Sequence, residues 1–163
     1  MSGPYQKKWR DRCVLFLDDC FDREIAVQPL LDAGFARVET FLKHFPRQAE
    51  PGKKEESVKD PRVIRLCNQH GWMLVTNDSN IRFTHVEEIK KCEKLAILAT
   101  SHNSADDPDE WIAGLASART QVEREFKKRK RPWYAQFNRD GKITTIYTVT
   151  DQHCTSRRRP NEV

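Results

Sequence analysis

The sequence predicts an α/β protein with a mainly parallel central sheet and helices on both of its faces. Three observations carry that expectation. Short continuous apolar runs, CVLFL at 13–17, WMLV at 72–75 and LAILAT at 95–100, have the length of strands buried on both sides. Segments with helical start and stop signals lie between them, so strand and helix alternate along the chain. A chain of 163 residues with 37% hydrophobic content is long enough for one core and short for two. We therefore expect a basic N-terminal segment at 1–12, a single domain at 13–150 and a mobile basic tail at 151–163.

CVLFL is the first strand. In DDCFDREIAVQPLLDAGF, Asp22 can cap a helix and Gly34 can end it, with Pro29 inside the pattern. FARVETF at 35–41 reads as a second strand, and 46–57 has no periodicity and reads as a surface loop. DPRVIRLCNQHG at 60–71 has a helix's signals: Asp60 as N-cap, Pro61 at the first position, Ile64 and Cys67 inward, Gly71 just past the end. WMLV follows at once as a strand. THVEEIKKCEK opens with Thr84 and Glu87 in capping-box spacing, predicting one crossover helix before LAILAT.

Asp106 or Asp107 and then Pro108 start a longer helix. Its Trp111, Leu115, Ala118, Val122 and Phe126 form one apolar stripe toward the sheet. FKKRKR ends it, which suits the negative end of the helix dipole. PWYAQFNRDGKITTIYTV is two β-rich runs around RDGK, the chemistry of a C-terminal β-hairpin.

Composition narrows the function classes. No apolar run approaches the ~20 residues that span a bilayer, so we expect no membrane partner and a cytoplasmic protein. The five cysteines, Cys13, Cys20, Cys67, Cys92 and Cys154, are scattered and odd in number, which fits a reducing compartment and lacks the ligand clustering of a zinc site. Net charge is +5, with basic clusters at 7–12, 127–131 and 157–159, and such clusters favour a polyanionic partner. Lys127, Lys128, Arg129, Lys130, Arg131 and Arg82 are the candidate nucleic-acid contacts.

The chemistry concentrates where buried strands end. LFLDDC puts Asp18 and Asp19 after the first strand. MLVTNDSN puts Thr76, Asn77, Asp78 and Asn80 after another, and Asp60 opens the helix before it. In an open parallel sheet such ends line one crevice, where ligands bind. Converging carboxylates repel one another unless a cation holds them, and hard oxygens without His or Cys suit Mg²⁺ or Mn²⁺. Asp18, Asp60 and Asp78, with Asp19, are therefore the candidate catalytic and metal-ligating residues, and Thr76, Asn77 and Asn80 would support them. Asp60 as a plain cap and Asp78 as a plain turn residue are the alternatives.

VLFLDD, then KDPRVIRLCNQHGWMLVTNDSNI, then LAILAT, in that order, resemble the PIN-domain nucleases over roughly 13–100. They are closest to a PIN-like subgroup with Asp at the first strand, Asp at a helix start and Thr-x-Asp-x-x-Ile after the next strand. RPWYAQFNRDGKI resembles the subgroup's C-terminal part. The resemblance implies a three-layer α/β/α sandwich and a metal-dependent endoribonuclease, often the toxin of a bacterial type II toxin-antitoxin pair of the VapBC type. Its partners would be an RNA substrate, a cognate antitoxin and a second copy of itself. Asp18, Asp60 and Asp78 match the family's acidic positions. A further family Glu has only loose counterparts in Glu39, Glu55 and Glu56, and Asn80 stands where related sequences often carry Asp. Those departures keep open a catalytically silent module that binds RNA or protein. A phosphoacceptor receiver domain would also place two acids after its first strand.

Overall fold

The computed structural model describes residues 13–18, 21, 24–45, 60–78, 81–101 and 108–149. The expected basic N-terminal segment, the loop at 46–57 and the C-terminal tail lie outside them, as do Asp19, Asp22 and Asn80 and the side chains of Asp60 and Arg82. The strands are β1 (Val14–Leu17), β2 (Arg37–Thr40), β3 (Met73–Thr76), β4 (Ala96–Thr100), β5 (Trp133–Phe137) and β6 (Ile143–Thr148). They form one sheet in the order β2-β1-β3-β4-β5-β6. The first five are parallel, and β6 runs antiparallel beside β5.

The alternation of side chains along each strand divides the core in two. Leu15, Leu17, Met73, Val75, Ala96, Leu98 and Trp133 project to one face. There they meet α1 (Glu24–Asp32), α6 (Pro108–Ser117) and α7 (Arg119–Lys128), through Leu30, Trp111, Leu115, Val122 and Phe126. Val14, Phe16, Leu74, Ile97 and Tyr134 project to the other face. They meet α2 (Phe41–His44), α3 (Asp60–His70), α4 (Ile81–Thr84) and α5 (Val86–Lys90), through Phe41, Ile64, Cys67, Ile81 and Ile89. A sheet with helices on both faces buries its strands on both sides, which is why β1 is apolar throughout and β3 and β4 are apolar up to the threonine that ends each of them.

Two glycines stop helices as the sequence predicts. At Gly34 (φ +108°) the N–H donates to Leu31 O, and the Phe35 N–H reaches back to Leu30 O. Gly71 (φ +69°) repeats the pattern with Asn68 and, through Trp72, Cys67. Both are Schellman closures, and only glycine takes the left-handed conformation without strain.

Three expectations change. The second strand is shorter than 35–41, because Phe41 leaves the sheet and opens α2. The helix read from THVEEIKKCEK is shorter, Val86–Lys90, and Thr84 does not cap it: Thr84 ends a separate short helix, α4, and His85 (φ −124°, ψ 29°) stands at the start of α5 without a side-chain cap bond. The long helix likewise divides at Ala118 (φ −89°, ψ 4°) into α6 and α7. Its apolar stripe survives whole, since Trp111, Leu115, Ala118, Val122 and Phe126 are all buried in one core.

α6 also packs backbone to backbone on the turn between β5 and β6. A methyl group on Gly114 would lie 2.5 Å from the Arg139 carbonyl oxygen, closer than any real contact. Among the described residues no helix is long and apolar enough to cross a membrane.

Candidate functional site

The chain runs from β1 to β2 on one side and then returns past β1 to β3 on the other, so the winding direction reverses between β1 and β3. The carboxyl ends of those two strands form the crevice where doubly wound sheets bind ligands. Leu17 stands level with Val75, and the Asp18 N–H donates to Val75 O at 3.0 Å, which carries the ladder one residue past the end of β1. Asp18 therefore stands beside Thr76, and its side chain is only 7% exposed.

The Thr76 hydroxyl donates to Asp18 Oδ2 at 2.8 Å and accepts the Asp78 backbone N–H at 3.1 Å. One hydroxyl thus links the two acidic residues that the sequence singles out at strand ends. The next stretch is pinned as well: Thr100 Oγ1 at the end of β4 donates to the Asn77 carbonyl at 3.3 Å, and the Ile81 N–H closes on Asp78 O as α4 begins. Asn77 and Asp78 are half-buried. Asp60 opens α3, which runs back to the amino end of β3, so its first turn belongs to the same carboxyl edge of the sheet. Among the described residues no group of three or more His, Cys, Asp or Glu side chains is placed to hold a metal ion. Asp18 and Asp78 are the described members of the predicted carboxylate set.

Cys67 lies under this edge in α3. Burial, the Asp18 charge and Cys92 all push its thiol well above the ordinary value. Cys92 is raised to about 11, by burial and then Glu88.

Two polar positions have roles that the sequence did not disclose. Thr76 is level with Ala99, and Ala99 with Gln136, so a row across the sheet joins Asp18, Thr76, Ala99 and Gln136 on one face. Gln136 is 1% exposed and its amide donates to the Tyr134 hydroxyl at 2.9 Å. A Gln inside the buried run WYAQF is the signal that could have flagged it.

Glu39, a loose counterpart of the family Glu, is level with Phe16 on β1 and only 2% exposed. Its carboxylate is held by Arg37 at 2.8 Å, His44 at 3.1 Å and Lys43 at 3.2 Å. Burial alone would raise its pKa, but hydrogen bonds from Arg37, Lys43 and His44 outweigh it and hold the carboxyl below its ordinary value. Glu55 and Glu56 lie outside the described residues.

The basic run at 127–131 does not form one surface. Lys127, Lys128 and Lys130 are exposed. The Arg129 Nε donates to Glu125 at 2.6 Å. Arg131 turns inward: it donates to the Phe126 and Lys94 carbonyls and lies 4.2 Å over the Phe126 ring. It closes the carboxyl end of α7, whose last carbonyls have no helical partner, so it drops out of the candidate nucleic-acid contacts.

Comparison with family models, with curated proteins and with solved structures returns no match for this chain.

Proposed function

We propose that the chain is a divalent-metal-dependent endoribonuclease of the PIN-like type, the toxin of a bacterial type II toxin-antitoxin pair. The observation that carries this reading is the Asp18–Thr76–Asp78 link: a buried carboxylate and a second acidic residue joined through one hydroxyl at the reversal point of a parallel sheet. Burying a carboxylate costs stability unless it is satisfied, so an acid kept at such an edge suggests a use for its charge.

The donor chemistry fits Mg²⁺ or Mn²⁺. Asp18 and Asp78 would hold the ion; Asp60 and Asp19, the other carboxylates that the sequence nominates, have side chains outside the described residues. When bound, it would neutralise charge on a phosphodiester and lower the pKa of its water. The protein's own share is orientation. Thr76 fixes Asp18 Oδ2 by donating to it, the Asp78 N–H fixes the Thr76 hydroxyl, and Thr100 holds the Asn77 backbone between them.

The strand order also occurs in phosphoacceptor receiver domains, which need a Lys at the end of a further strand. Here β5 ends in Gln136 and Phe137, followed by Asn138, which argues against that chemistry.

Cleavage of a labelled RNA in Mn²⁺ tests the reading. Asp78→Asn keeps size and turn geometry, and it should lower the rate on the order of a hundredfold to ten-thousandfold, since ~1.4 kcal/mol is a factor of ten. Its melting temperature should match the wild type. Equal rates would refute the role of Asp78. No cleavage by the wild type, with RNA still bound, would leave a silent binding module. Growth arrest on induced expression, relieved by the same substitution, tests the toxin assignment.

A further inference from the structure

The sequence places its densest basic run at 127–131, yet the fold assembles another positive surface from residues that are not contiguous. Arg37 comes from β2, Lys43 and His44 from α2, and His70 from the end of α3. The first three converge on Glu39. That carboxylate is 2% exposed, whereas the side chains of Arg37 and Lys43 are 56% and 62% exposed. The anion is inside and the cations face solvent. Even with His44 counted as neutral, this described group sets two solvent-facing cations against one buried anion.

Aromatic rings lie among these charges. Trp72 packs beneath the Arg37 guanidinium, 5.6 Å from its ring, and His70 stacks on the same indole at 4.2 Å with the planes 14° apart. His70 is exposed, so its ring adds a flat stacking surface beside these charges, whereas Trp72 beneath it is only 5% exposed. Arg62, exposed on α3, lies 5.6 Å over the Phe45 ring. Cations interleaved with stacking faces are what single-stranded nucleic acid binds, phosphates to the charges and bases to the rings. Glu39 adds pre-organisation: it already holds Arg37, Lys43 and His44, so less side-chain freedom is lost on binding.

We propose that the Arg37–Lys43–His44 surface, with the His70 ring beside it, is where single-stranded RNA docks, in place of the basic run at 127–131. This rests on the RNA substrate proposed above and names a face for it: Arg37 opens β2 and His70 ends α3 at the amino edge of the sheet, so a strand docked there would have to run on to reach Asp18 and Asp78 at the carboxyl edge.

Fluorescence anisotropy of a labelled single-stranded RNA 12-mer, in EDTA so that nothing is cleaved, reads docking alone. Each lost phosphate contact should reduce the slope of log affinity against log salt by about 0.7, so Arg37→Gln with Lys43→Gln should reduce it by about 1.4. Lys127→Gln with Lys128→Gln should leave it unchanged. If the first pair weakens the fold by stranding Glu39, adding Glu39→Gln removes the stranded charge, and the triple variant should show the same loss of slope. An unchanged slope in a folded double or triple variant, a loss confined to the Lys127 and Lys128 pair, or a wild type that does not bind RNA would each overturn the proposal. Cleavage in Mn²⁺, measured in parallel, reports on the nuclease reading separately: cleavage with an unchanged slope refutes only the docking face, and a normal slope without cleavage refutes only the nuclease.

Discussion

Asp18 and Glu39 are buried carboxylates on neighbouring strands and on the same face of the sheet, one beyond Phe16 and one beside it. Their surroundings differ in kind. Glu39 is gripped by Arg37, Lys43 and His44, so its charge is matched within the protein and its pKa is held down. Asp18 accepts from the Thr76 hydroxyl at 2.8 Å, a neutral donor on the adjacent strand that orients the carboxylate. At Glu39 the fold uses the charge to fix an edge strand and a short helix, and at Asp18 a hydroxyl of the neighbouring strand ties the carboxylate down at the carboxyl edge of the sheet. Burial by itself does not separate the two; the partners do.

The largest effect that follows is on catalysis. Asp18→Asn keeps an acceptor for Thr76 while removing the charge, so RNA cleavage should fall on the order of a hundredfold or more, with little change in melting temperature. A collapsed melting temperature with unchanged specific activity would put Asp18 in the same class as Glu39.

Next is Arg131, a buried charge that the fold uses up. Arg131→Met would leave the Phe126 and Lys94 carbonyls short of a donor, and should cost roughly 2–4 kcal/mol in denaturant unfolding. RNA binding by the folded variant should keep its salt dependence.

Glu39→Gln should cost less, about 1–2 kcal/mol at neutral pH, because its partners reach solvent when released. It also carries a pH signature. The folded pKa lies below the ordinary 4.5, so the stability Glu39 contributes is present above that pH and is lost as pH falls through the folded value. Acid unfolding of Glu39→Gln should therefore be less steep below pH 4.5 than that of wild type, and parallel curves would contradict the ion-pair account.

The smallest effect is at Thr76. Thr76→Val removes the hydroxyl between Asp18 and Asp78 and should lower cleavage by about fivefold, near 1 kcal/mol. A loss as large as that of Asp18→Asn would mean that the hydroxyl does more than orient.

Much of this architecture was legible in the sequence. The apolar runs at 13–17, 72–75 and 95–100 pointed to three strands of the parallel sheet, because strands covered on both faces carry few polar positions to blur the signal. Gly34 and Gly71 marked helix ends because their positive φ leaves few alternatives. At the site, Asp18, Thr76 and Asp78 were legible as polar residues that follow such runs.

What was not legible depends on contacts between distant segments. Nothing around Arg131 indicates that the Lys94 carbonyl lies within reach of it. Glu39 looks like an ordinary strand residue until β2 and α2 bring Arg37, Lys43 and His44 around it. The breaks at His85 and Ala118 follow from local backbone angles that leave the apolar spacing untouched, so periodicity could not reveal them.

The most direct test of the Asp18 edge as a metal site is a crystal of the full chain soaked in millimolar Mn²⁺ and measured at the manganese absorption edge. The account predicts an anomalous peak roughly 2.0–2.3 Å from an Asp18 carboxylate oxygen, lost in Asp18→Asn. A well-ordered Asp18 with no peak beside it, or with the peak at another group, would contradict it.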